Sequence, residues 1–133
     1  MTTVAQPLLG SITPFFIVGD LKQTVAFYCD HLGFDIVYMG PDDNPFFAMV
    51  ERGGVRLMLK HIAADVGPMP NPSRHEWAAW DAYVWSPDPD RLAEDFAARG
   101  LSTAQPVSVN SDGLRGFAVT DPNGYVIYFG RPV

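Results

Sequence analysis

The residues that could do chemistry in this sequence are few and widely spaced. There are three histidines, His31, His61 and His75, and one cysteine, Cys29. A zinc-binding helix of the HExxH kind needs a second His four residues after the first, and His75-Glu76 has none. No Ser–His–Asp order, phosphate-binding GxxxxGK loop or GxGxxG fingerprint occurs. Cys29 falls on an apolar helical stripe, which reads as a buried inert thiol rather than a nucleophile. Asp81 and Tyr128 offer a carboxylate and a phenol, each able to serve as acid or base or to hold a ligand. Arg56 and Arg115 either stand solvated or, if both turn inward, clamp an anionic ligand. Trp77, Trp80 and Trp85, with Phe46 and Phe47, read as packing residues or as a stacking wall for a flat ligand. Trp80, next to Asp81, is the choice for such a wall.

The elements that must position these residues occur twice. In the first half, an apolar strand over 11–18 leads to Asp20, a helix N-cap with Gln23 three residues on. Leu21, Val25, Tyr28, Cys29 and Leu32 repeat at helical spacing, and Gly33 ends the helix. Strands follow over 34–39, 46–51 and 55–60, the last two joined by Arg52-Gly53-Gly54. The second half has a strand over 78–86, then Asp88-Pro89 as cap and first helical residue. Leu92, Ala93, Phe96 and Ala97 form its helical stripe, and Gly100 the stop. A weak strand in Ala104–Val109 and better ones over 114–120 and 125–129 complete it.

The interval from Asp20 to Asp88 matches those from Gly33 to Gly100, Phe47 to Phe117 and Gly54 to Gly124 to within three residues. The expected fold is therefore α+β, with two tandem βαβββ modules facing each other around a cleft. One domain over 1–133 is expected, its modules at about 10–60 and 78–131, joined by a stiff Pro-rich connector over 61–77. A helix covers only one face of a four-stranded sheet, so the other face needs a partner or lines the cleft. Strand alternation turns Val55, Leu57 and Leu59 to the first helix, and Arg56, Met58 and Lys60 to the cleft. It likewise turns Tyr125, Ile127 and Phe129 to the second helix, and Val126, Tyr128 and Gly130 to the cleft.

Composition narrows the classes of function. With 47% hydrophobic residues the chain can bury a core, and a formal charge of −6 argues against a nucleic-acid partner. No apolar run reaches the ~20 residues of a membrane helix, and no signal peptide is read at the N-terminus. A single cysteine excludes an internal disulfide and a multi-cysteine zinc site, and fits a reducing, cytoplasmic setting.

The stretches FFIVGDLKQTVAFYCDHLGF and GFAVTDPNGYVIYF resemble the vicinal oxygen chelate superfamily of glyoxalases, dioxygenases and bleomycin-resistance proteins. The resemblance spans about residues 10–131. LRGFAVTDPNG and AWDAYVW look most like the bleomycin-resistance branch. In metal-dependent members of this superfamily, each half supplies two ligands to a divalent ion. One lies seven residues before the helix cap and one four residues after the turn glycine. Here those positions hold Thr13, Met58, Asp81 and Tyr128, of which only Asp81 is a good hard-metal ligand. The resemblance therefore implies a metal-free, cofactor-free protein that binds an aromatic or antibiotic-like small molecule and works by sequestration, commonly as a homodimer that can exchange halves. Thr13, Arg56, Met58, Trp80, Asp81, Arg115 and Tyr128 are the candidate lining. The alternatives are a metal-dependent glyoxalase-like lyase or ring-cleaving dioxygenase, with His61 or His75 as off-pattern ligands, and a metal-free catalyst using Asp81 or Tyr128.

Overall fold

The computed structural model describes residues 6–133. Its elements run in the order β1 (Phe15–Ile17), α1 (Leu21–Leu32), β2 (Asp35–Gly40), β3 (Phe47–Arg52), β4 (Val55–Lys60), β5 (Ala82–Trp85), α2 (Pro89–Ala98), β6 (Ser108–Val109), β7 (Leu114–Thr120) and β8 (Val126–Pro132). A single 3-10 turn, Asn71–Ser73, interrupts the connector. The strands form two four-stranded sheets of identical topology, β1-β4-β3-β2 and β5-β8-β7-β6. In each, the first strand pairs parallel with the last and the others pair antiparallel. Two βαβββ modules therefore make up the chain.

Local chemistry explains the elements. The Asp20 carboxylate accepts from Gln23 N at 2.9 Å, and Thr24 Oγ1 donates back to the Asp20 carbonyl at 2.7 Å. Gly33 closes α1 at φ 72°, a left-handed conformation that glycine adopts without a Cβ clash. Asp88 caps α2 the same way, accepting from Arg91 N at 3.1 Å, with Pro89 as the first helical residue.

Alternation then builds the core. Leu57 and Leu59 of β4, Ala48 and Val50 of β3, and Val25, Tyr28 and Leu32 of α1 are all buried on the helix side of the first sheet. Phe117 and Val119 of β7, Ile127 and Phe129 of β8, and Phe96 of α2 do the same in the second. Each such side chain contributes about 1.5–3 kcal/mol on burial. These residues belong to one continuous cluster, so the modules share a core.

The seam between modules is polar as well as apolar. Phe16 stacks on Tyr125 with ring centroids 4.3 Å apart, and Tyr125 Oη donates to the Ile17 carbonyl at 2.6 Å. Tyr28 Oη, fully buried in α1, donates to Asp121 Oδ2 at 2.9 Å. Asn123 Oδ1 accepts from Gly19 N at 3.0 Å, while its amide donates to Thr24 Oγ1 at 3.0 Å. The Asp121-Pro122-Asn123-Gly124 turn thus docks the second module onto the start and middle of α1. On the far side, the Arg52 guanidinium joins the Leu32 carbonyl to Asp95 of α2, both at 2.8 Å.

Candidate ligand-binding site

The helices cover one face of each sheet, and the candidate site residues divide over the other. On the first sheet, Met58 is half-buried, in register with Phe15 on one side and Met49 on the other. Thr13 lies just before β1, also half-buried. Arg56 stands two residues before Met58 and is paired with Glu51 on the neighbouring strand. The second sheet carries Tyr83, Tyr128 and Ala118 in register across three strands.

A cavity of about 350 Å³ opens over this second face. Ala79, Trp80, Ala118, Val126 and Tyr128 give it an apolar, aromatic side, and Gln105, Ser108, Asn110, Asp112 and Thr120 a polar one. Gly116 forms its floor, directly opposite Gly130 in the ladder. The floor is bare for a physical reason: a Cβ on Gly116 would lie 2.8 Å from the Tyr128 hydroxyl, and one on Gly130 2.6 Å from Tyr128 Cε1. The Tyr128 ring therefore lies flat against backbone. The Trp80 indole stacks on it at 4.4 Å and 21°, and the Tyr83 ring runs nearly parallel at 5.9 Å. Burial, then the neighbouring Tyr83, push the Tyr128 phenol above its ordinary range. It is neutral at physiological pH.

Asp81 has structural work at this site. Its Oδ1 accepts from Asn71 N at 2.7 Å and its Oδ2 from Val126 N at 2.8 Å. It ties the connector turn to the start of β8, and its own N–H donates to the Val126 carbonyl at 2.8 Å. The carboxylate holds the loop that carries Trp80, whose carbonyl accepts from the Asn71 amide at 3.2 Å.

Arg115 lies on the other face. It shares the parity of Phe117 and Val119, so the pleat turns it to the helix side, where it binds Asp90 of α2 through two contacts of 2.8 and 2.6 Å. An anion clamp made of Arg56 and Arg115 is thus corrected: the two guanidiniums occupy different sheets, and each already holds a carboxylate. His61 Nδ1 reaches only the Val18 carbonyl, at 3.4 Å, and His75 Nδ1 accepts from Trp77 N at 3.0 Å. Among the described residues no three His, Cys, Asp or Glu side chains converge as a metal site would require. The polar side of the cavity escaped the sequence reading because its strand, β6, is only two residues long. The parity of Gly116 and Gly130 with Tyr128 was the signal that could have exposed the floor.

A model of the Glyoxalase/Bleomycin resistance protein/Dioxygenase superfamily matches residues 9–129. The chain belongs to this superfamily. A bleomycin-binding protein from Streptomyces verticillus, solved with copper(II)-bleomycin, is 29% identical, with 94% of this chain and 97% of that one covered at a TM-score of 0.65. TnmS3, an antibiotic-binding protein from Streptomyces sp. CB03234, is 18% identical over 96% of this chain and 100% of its own, TM-score 0.68. A glyoxalase-related enzyme from Clostridium phytofermentans, 13% identical over 96% and 98%, reaches a TM-score of 0.72. At those two lower identities the likeness shows the fold alone. No curated relative matches the chain significantly.

The superfamily includes metal-dependent members, so the donor set was tested against a divalent ion. Thr13 offers a neutral hydroxyl, Met58 a soft thioether and Tyr128 a phenol held above its ordinary range. The carboxylate of Asp81 accepts main-chain hydrogen bonds on both oxygens. These residues do not fit a hard divalent ion.

Proposed function

We propose that this superfamily member binds a flat, aromatic or antibiotic-like small molecule in the cavity over its second sheet and acts by sequestration. The observation that carries the reading is the cavity itself: about 350 Å³, with stacked aromatic rings on one side and a row of hydrogen-bonding side chains on the other. Sites for small molecules combine apolar walls with a few placed polar groups in this way. The bleomycin complex of the 29% identical relative supports a ligand of this class. Asp112 is the charged residue of the cavity wall, and Arg115 points away from it, which favours a neutral or cationic ligand over an anion. Isothermal titration against a panel of planar cationic, neutral and anionic aromatics tests this. Saturable binding of the first two classes is expected; uptake of anions alone, or of nothing, refutes it.

The same reading includes a homodimer. The helix-free face of the first sheet and the segment before it expose Phe15 at 51%, Tyr38 at 57% and Ile12 at 92%. A surface of this kind needs a cover, and a second copy of the chain supplies one of matching character. Light scattering that returns the mass of a single chain across a concentration series would sink this part. No helix among the described residues is long and apolar enough to cross a membrane. We place the protein in the cytoplasm, a reading that rests on its single cysteine.

A further inference from the structure

Among the described residues, the Tyr128 hydroxyl is the buried side-chain polar atom left without a hydrogen-bond partner. The residue is 5% exposed. Its neighbour Tyr83 differs in this respect, since the Tyr83 hydroxyl donates to the Gly130 carbonyl at 3.2 Å. An orphaned buried hydroxyl costs about 1–3 kcal/mol. A tyrosine on a sheet face with no helix over it could easily have turned its phenol to water. Here the ring is instead held down on the Gly116–Gly130 floor and covered by the Trp80 indole. Trp80 sits in the segment between the connector turn and β5, outside any helix or strand, and is only half-buried. That segment is pinned by Asp81 and the Trp80 carbonyl, which leaves the indole free to rotate about its own side-chain bonds.

We infer that the Trp80 indole is a placeholder for a planar heteroaromatic ligand, which takes its stacking position on Tyr128 and accepts a hydrogen bond from the Tyr128 hydroxyl at an acceptor on the ring edge. This rests on the ligand-binding reading above and gives the ligand's chemistry. A hydrocarbon ring would regain the stacking but leave the hydroxyl orphaned. A ring nitrogen or carbonyl at the edge relieves that cost, and the neutral phenol is a competent donor. Tyr128 is then the residue that sets specificity, and the paired glycines are what give it room.

Quinoline and naphthalene test this, because they share a shape and differ by one ring nitrogen. Both are titrated by calorimetry into the wild-type protein, Tyr128→Phe and Trp80→Ala. The expected result is a preference of about tenfold for quinoline in the wild type, the size of one hydrogen bond. Y128F removes that preference. W80A tightens both probes, because no indole need be displaced, and keeps the preference. Thermal melting of ligand-free Y128F should give a midpoint equal to or above the wild type, since no bond is lost; a clear drop reveals a structural partner for the hydroxyl and overturns the inference. A preference that survives in Y128F, or W80A that weakens both probes, overturns it too. Equal uptake of the two probes by the wild type defeats this inference alone. Uptake of neither defeats the cavity reading and this inference with it.

Discussion

The two carboxylates nearest the site illustrate how burial and partners separate residues of one type. Asp81 accepts two main-chain N–H groups from segments far apart in sequence, Asn71 and Val126. Removing the carboxylate leaves both donors unpaired, so D81A should lose about 2 kcal/mol in chemical denaturation, with D81N recovering part of it. Asp121 is different. Burial pushes its carboxyl up, against the opposing hydrogen bonds from Tyr28, Asn123 and Tyr125. A raised carboxyl means the folded state takes up its proton before the unfolded state does. Its contribution to stability is therefore full below the ordinary carboxylate range and is lost as pH rises through the raised value. Asp90 and Asp95 run the other way: hydrogen bonds from Arg115 and from Arg52 hold them low, and their contribution is lost only as pH falls through those lowered values. The stability of wild type relative to D121N, from urea midpoints, should thus increase as pH drops from 7 toward 4. A gap that is flat or shrinks would contradict the assignment.

At the scale of elements, the β7–β8 ladder depends on two opposed glycines. A Cβ on Gly116 would collide with the Phe129 carbonyl and lie 2.7 Å from Gly130 Cα, neither of which is a flexible side-chain end. G116A should therefore cost about 1–3 kcal/mol through strain in the ladder, visible as a lower melting midpoint, and should also displace the Tyr128 ring. Circular dichroism from the stacked Trp80–Tyr128 pair in the near ultraviolet would report that displacement. The helix termini behave more simply. Asp20 satisfies an N–H at the first turn of α1 and nothing else, so D20A should cost about 1 kcal/mol, and D20S much less.

The whole molecule is held as one unit by the seam between modules. Tyr28 and Asp121 are buried on opposite sides of it, 2.9 Å apart through the hydrogen bond. Y28F would leave a buried carboxylate oxygen short of a donor, and a loss of about 1–3 kcal/mol is expected by denaturant titration. Because the core is continuous, that loss should lower the melting of both modules together: tryptophan fluorescence, whose three probes Trp77, Trp80 and Trp85 all lie near the second module, and far-ultraviolet dichroism, which reports both helices, should give one coincident transition in the variant as in the wild type. Separate transitions would mean that the modules are only loosely joined.

Local features were legible in the sequence because they are decided by neighbours in the chain. Asp20 with Gly33, and Asp88 with Pro89, mark helix limits through bonds that span three or four residues. The alternation of Leu57, Met58 and Leu59 settles which side chain meets the helix, whatever else packs nearby. The repeat, and with it the twin sheets, follows from the recurrence of those signals at one interval. The site was not decided at this level. Tyr128 could be located on the helix-free face from the sequence, but its sealed hydroxyl depends on Trp80 folding back from the connector and on Gly116 arriving from another strand. Asp81 has the side chain of a metal ligand, and only the tertiary structure gives both its oxygens to main-chain donors. Arg115 has the side chain of an anion clamp, and the partner that claims it, Asp90, comes from a separate element. Residue type sets what a group can do; the contacts that fold supplies from elsewhere in the chain decide which of those capacities is left unspent, and here the one left over is a buried phenol in a cavity.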